Sequence, residues 1–172
     1  MFKKKMATLA LALALSVSVV PSAFAATTGT STDKTVKQEQ NSVWKDQTAT
    51  LKSQLVTLRT QEKALTAQIK ALHDSNKLAR KGLTKEAKAA LKQSLNNLTQ
   101  QIKAQHASIV SLRTQKQDQW IQVKAAKAAG NVNSGIDSLE QIISLKEQII
   151  QLKQSILVLQ QSLQAALQGT NV

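Results

Sequence analysis

Lys70, Lys77, Arg80, Lys81, Lys85, Lys88 and Lys92 crowd into residues 70–92, where the acids are Asp74 and Glu86 alone. A net charge of +5 on one short segment supports one kind of chemistry. It captures anions electrostatically, with a strength that falls as salt rises. Other chemistry is harder to assemble. His73-Asp74-Ser75 supplies the letters of a nucleophilic triad, but consecutive helical residues point about 100° apart and cannot converge on one atom. His73 and His106 fall on different helices at heights that do not pair, which argues against a two-histidine metal site. The ten acids form no spaced cluster, and no glycine-rich phosphate loop is present. We therefore expect no enzymatic activity, no cofactor and no metal.

The basic segment must be carried by something, and the sequence around it is helical. Over Thr84–Ala129, Leu91, Leu95, Leu98, Ile102, Gln105, Ile109, Leu112, Lys116, Gln119, Val123 and Ala126 alternate in steps of four and three, the mark of a helix packed along a seam. No Gly or Pro interrupts this stretch, and it is expected to form the central rod of the fold. Before it, over residues 34–80, Trp44, Leu51, Leu58, Leu65, Leu72 and Ala79 recur every seven residues. Thr48, Leu55, Glu62, Ile69 and Asn76 complete the seam. After it, over 134–168, one row runs Ile142, Leu145, Ile149, Leu152, Ile156, Leu159, Leu163, Ala166. Beside it stands a second row, Ile136, Ile143, Ile150, Leu157. Together they cover roughly 160° of the third helix, a width that fits a groove between two others. The competing use of such a face is homo-oligomerisation, since Ile at a with Leu at d favours parallel pairing.

Two breaks separate the helices. Gly82 suits a helix C-terminus and Thr84 a new N-cap. At Gly130–Gly135 the capping pair is expected to be Ser134 with Asp137. Short connections favour antiparallel neighbours, and pairing by constant sums about each turn brings Trp44 beside Trp120 and Glu62 opposite Ile102. There Glu62 is expected to snorkel toward Lys103 or Arg59. The expected fold is all-α, an elongated antiparallel three-helix coiled-coil bundle. Its third helix ends opposite about Asn97 and Ala67, leaving a projecting two-helix hairpin tip that carries the seven cations.

Outside the bundle, Lys3-Lys4-Lys5, an apolar run from Met6 to Val20 and Ala23-Phe24-Ala25 follow in the order of a secretory signal peptide. Cleavage is expected after Ala25, and the short, Lys-led form looks bacterial. Residues 26–33 read as a disordered lead and 169–172 as a tail. Cleavage takes the net charge from +13 to +10 and leaves a chain without Cys or Pro, held by packing alone. No segment of the mature form is apolar and long enough to cross a membrane.

In broad class the chain is similar to small secreted bacterial coiled-coil proteins. Leu65-Thr66, Leu83-Thr84 and Leu98-Thr99 share the opening of the L-T-x-x-Q motif of one helical envelope chaperone type, without its Gln. The function expected is that of a secreted or cell-envelope structural or interaction protein. Its partner would be an anionic envelope polymer, lipid or protein met through the basic tip, and equal charge along residues 34–63 should matter less. A holdase-type extracytoplasmic chaperone is the alternative. Nucleic acid is not an expected partner, because the charge is accompanied by no recognition motif.

Overall fold

A computed structural model describes residues 33–169, with side chains from residue 38 onward. The signal-peptide reading of 1–25 and most of the lead and tail fall outside the described residues. Within them the chain is all-helical, with α1 (Asp33–Gln47), α2 (Ala49–Gly82), α3 (Lys85–Ala128) and α4 (Val132–Gln168) and no strand. None of these helices is long and apolar enough to cross a membrane.

α1 and α2 are two parts of one rod. The backbone ladder runs through the interruption at Thr48, whose N–H donates to the Trp44 carbonyl at 3.1 Å and whose carbonyl accepts from Lys52 N–H at 3.0 Å. The fully buried Thr48 hydroxyl also donates to the Trp44 carbonyl, at 2.6 Å. That back-bond competes with the helical one and accounts for the local irregularity.

The breaks differ in detail from the sequence expectation. Gly82 is the last helical residue, and it is Leu83, at φ −67° and ψ 144°, that ends α2. Burial of the Leu83 side chain draws the chain off the helix axis. Thr84 then caps α3, its hydroxyl accepting from Ala87 N–H at 3.2 Å. At the second break Gly130 adopts φ +68°, a conformation cheap only for glycine. Gly130 N–H donates to the Lys127 carbonyl and Asn131 N–H to the Ala126 carbonyl, the paired bonds of a Schellman motif. The cap of α4 is Asn131, which accepts from Ser134 N–H at 3.2 Å, and Ser134 lies inside the first turn.

α4, not α3, is the central element. It packs along both α2 and α3, which make little direct contact with each other. Leu139, Ile142, Ile149, Ile156 and Leu167 on α4 are the most completely buried apolar side chains among the described residues. Against α3 the helix runs antiparallel. Val123 clusters with Ile142, Ile109 and Ile102 with Ile149 and Ile156, and Leu95 with Leu163. Against α2 it runs parallel, since Glu62 meets Lys146 and Asn76 meets Gln160. α4 displaces α3 from the centre because it presents two buried rows, whereas each flanking helix presents one.

The α2–α4 pairing also corrects the expected length of the tip. Gln160 beside Asn76 puts the end of α4 level with the 82–84 turn rather than with Ala67. Leu163 and Leu167 accordingly pack with Leu83, Ala87, Leu91 and Leu95. The hairpin end is filled by α4 on its inner side and is not bare.

Candidate functional site

Heptad spacing on α4 places three polar residues where apolar ones are expected. Lys146, Lys153 and Gln160 are buried, 8%, 5% and 3% exposed, and seven residues apart they share one face toward α2. Each finds a partner there. Lys146 Nζ donates to Glu62 Oε2 at 3.0 Å; Lys153 Nζ donates to Glu62 Oε1 at 3.2 Å and to Thr66 Oγ1 at 2.6 Å. Arg113 of α3 reaches the same carboxylate at 3.8 Å. Glu62 therefore pairs across helices, and not with Lys103 or Arg59. Two heptads on, Asn76 Nδ2 donates to the Gln160 backbone carbonyl at 2.8 Å and to its Oε1 at 2.9 Å.

The electrostatics follow from this crowding. Burial pushes the Glu62 pKa up, but the hydrogen bonds and charges of Lys146 and Lys153 outweigh it and hold the carboxyl down at about 2. Lys116 is held below the ordinary lysine value, first by burial and then by Lys146, with Arg113 and Lys153 adding to the repulsion and Glu62 only partly opposing it. No carboxylate lies within ion-pair distance of Lys116 among the described residues.

Because α2 and α3 stand apart over α4, a cleft of about 500 Å³ opens above this cluster. Lys52, Arg59 and Lys63 from α2, Arg113 and Lys116 from α3, and Lys146 and Lys153 from α4 line it, with Glu62 as its one acid. Trp120 stands on its wall, 37% exposed. Trp44 sits elsewhere, buried with Leu139 and Ile142 and with its ring against Gly135. Trp44 belongs to the buried cluster with Val123 and Leu139 while Trp120 stands on the cleft wall, so the two indoles are not brought together as expected.

The seven cations expected at the tip are divided by the structure. Lys77, Arg80, Lys81 and Lys88 line a second cleft of about 470 Å³ with His73, Asn76 and Leu163, and no acid stands on its wall. Lys70, Lys85 and Lys92 are exposed but lie off that wall. His73, Asp74, Ser75 and His106 are all exposed. Among the described residues no group of three or more His, Asp or Glu is placed to hold a metal ion.

Sequence reasoning passed over the mid-rod cleft. Its signal was the seven-residue repeat of Lys146, Lys153 and Gln160, offset by one step from the apolar row that drew attention. Compared with known proteins, the chain matches no family model, no curated sequence and no solved structure.

Proposed function

We propose that this chain is a non-enzymatic extracytoplasmic interaction protein of bacterial type, exported by residues 1–25 and cleaved after Ala25. Its three-rod coiled-coil bundle is a spacer that presents a basic hairpin end to an anionic envelope polymer or lipid. The observation that carries this reading is the hairpin end itself. Six of its seven cations are exposed, and four line one cleft without a carboxylate. An array of this kind attracts any polyanion and repels none.

Binding to anionic vesicles or an anionic polymer, titrated against salt, tests the reading. Affinity should fall steeply as salt rises. Changing Lys77, Arg80, Lys81, Lys85 and Lys88 to Gln should abolish it with little change in helicity or melting temperature, since none of the five belongs to a buried apolar cluster. Retention of full affinity by that variant would remove the hairpin end from the mechanism.

A further inference from the structure

The basic surface does not stop at the hairpin end. At 100° per residue, Lys52, Arg59, Lys63, Lys70, Lys77 and Lys81 fall within about 20° of a single line along α2, about 44 Å long. Its two ends open into the two clefts, since Lys52, Arg59 and Lys63 line the mid-rod cleft and Lys77 and Lys81 the cleft at the turn. The opposite bank is α3, with Arg113 and Lys116 at one end and Lys88 at the other. The acids along this path are few. Glu62 is engaged by Lys146, Lys153 and Arg113, and Asp74 stands exposed beside the line about 40° away. The mid-rod cleft thus holds seven cations against one acid, a net of +6.

We propose that the groove between α2 and α3 is a channel for a linear polyanion, a flexible chain of closely spaced anionic groups lying from the mid-rod cleft to the cleft at the turn. This deepens the hairpin-end reading and rests on it, naming a polymer and not a lipid surface as the ligand. The reason is depth. Lys146 and Lys153 floor the groove and are nearly inaccessible, so a flat bilayer would meet only the ridges of the rods, while a chain can enter between them. Lys116 is half-buried with no carboxylate within ion-pair distance among the described residues, and an entering anion supplies a close one. Trp120 on the wall reports the occupant by its emission.

The experiment uses the purified protein, long-chain polyphosphate as probe and both calorimetry and Trp fluorescence as readouts. Long chains should bind and shift the emission, whereas tripolyphosphate, too short to join the two clefts, should bind at least about tenfold more weakly. The variant Lys52→Gln/Arg59→Gln/Lys63→Gln should lose roughly tenfold or more in affinity, and its slope of log affinity on log salt should shrink by about two. Lys103→Gln/Lys124→Gln/Lys127→Gln removes the same charge from exposed α3 residues that line neither cleft and should change affinity less than about threefold. All six substituted residues are exposed, so melting temperatures should match and confirm folding.

Equal losses in the two triple variants would overturn the channel and leave bulk charge. Loss on substituting Lys77, Arg80, Lys81 and Lys88 alone, with the mid-rod triple unaffected, overturns the channel and keeps the hairpin end. Binding to anionic vesicles without binding to polyphosphate does the same. A strong preference for a single-stranded oligonucleotide of equal charge would assign the groove to base stacking on Trp120, against the proposal.

Discussion

Glu62→Gln is the substitution that most directly probes what holds α2 to α4. The carboxylate is 16% exposed and is the sole anion within reach of Lys146 and Lys153 among the described residues. Its folded pKa is about 2 against an ordinary 4.5, a difference worth about 3 kcal/mol. Breaking a buried pair by removing one partner costs a similar amount, roughly 3–5 kcal/mol, because the remaining charges stay desolvated. Gln keeps the shape and one acceptor but removes the charge that both ammonium groups share. Urea unfolding followed by circular dichroism at pH 7 should therefore show the variant about 3 kcal/mol less stable. The sign with pH is fixed by the direction of the shift. A depressed carboxyl pKa stabilises fully above the unfolded value of about 4.5, and this is lost as pH falls toward about 2. The difference between the two proteins should thus narrow steadily over that window. A gap under about 1 kcal/mol at neutral pH, or one that persists at pH 2, would refute the reasoning. Converting Glu62, Lys146 and Lys153 together to Leu should recover most of the loss, since an apolar replacement of all partners leaves nothing unpaired.

Gly135→Ala should destabilise by about 1–3 kcal/mol in thermal melts, because the added methyl meets the Trp44 ring. This reverses the gain of about 1 kcal/mol usual for Gly→Ala inside a helix, and in a Trp44→Leu background the penalty should disappear. Gly130→Ala, at φ +68°, should cost about 1–2 kcal/mol by the same measurement. Asn76→Ala strands the buried Gln160 Oε1 and should cost about 1–3 kcal/mol, while Asn76→Leu with Gln160→Leu should be close to neutral.

How much of this could be read beforehand depends on what sets each feature. The helices were legible because the 4–3 alternation on 84–129 is a local property. Every one of its seam residues from Leu91 to Ala126 is buried or half-buried. The register of α2 on α4 was not legible, because apolar seams align equally well at any multiple of seven. What breaks that degeneracy is polar, Glu62 with Lys146 and Asn76 with Gln160, both separated by 84 residues. A chain that pairs only through Leu and Ile carries no such mark. The same limit explains the tip. Its charge was visible as composition, but whether α4 reached it depended on a register slide of about 17 residues, about 25 Å along the rod. At the second turn the capping letters were ambiguous, since Asn131 and Ser134 can each cap. The positive φ of Gly130 decided between them by fixing where α3 ends.

The polar repeat on α4 ties stability to the shape of the surface. At Ile142, Ile149 and Ile156 the helix closes tightly on α3, with each of these residues fully buried. Four residues on from Ile142 and Ile149, at Lys146 and Lys153, it offers α2 long side chains whose heads must find a carboxylate, and a single Glu62 serves both. Leu at those two positions would allow α2 to settle inward toward α3, as in a symmetric three-helix seam. With Lys in place, the long side chains of Lys146 and Lys153 and the charge of Lys116 stand between α2 and α3, and a groove of about 500 Å³ lies there. The cost is a cluster whose net contribution to folding is small or negative against an apolar core. On the proposed reading, the return is a basic groove framed by helices, where an incoming anion would meet charges that Glu62 leaves unneutralised.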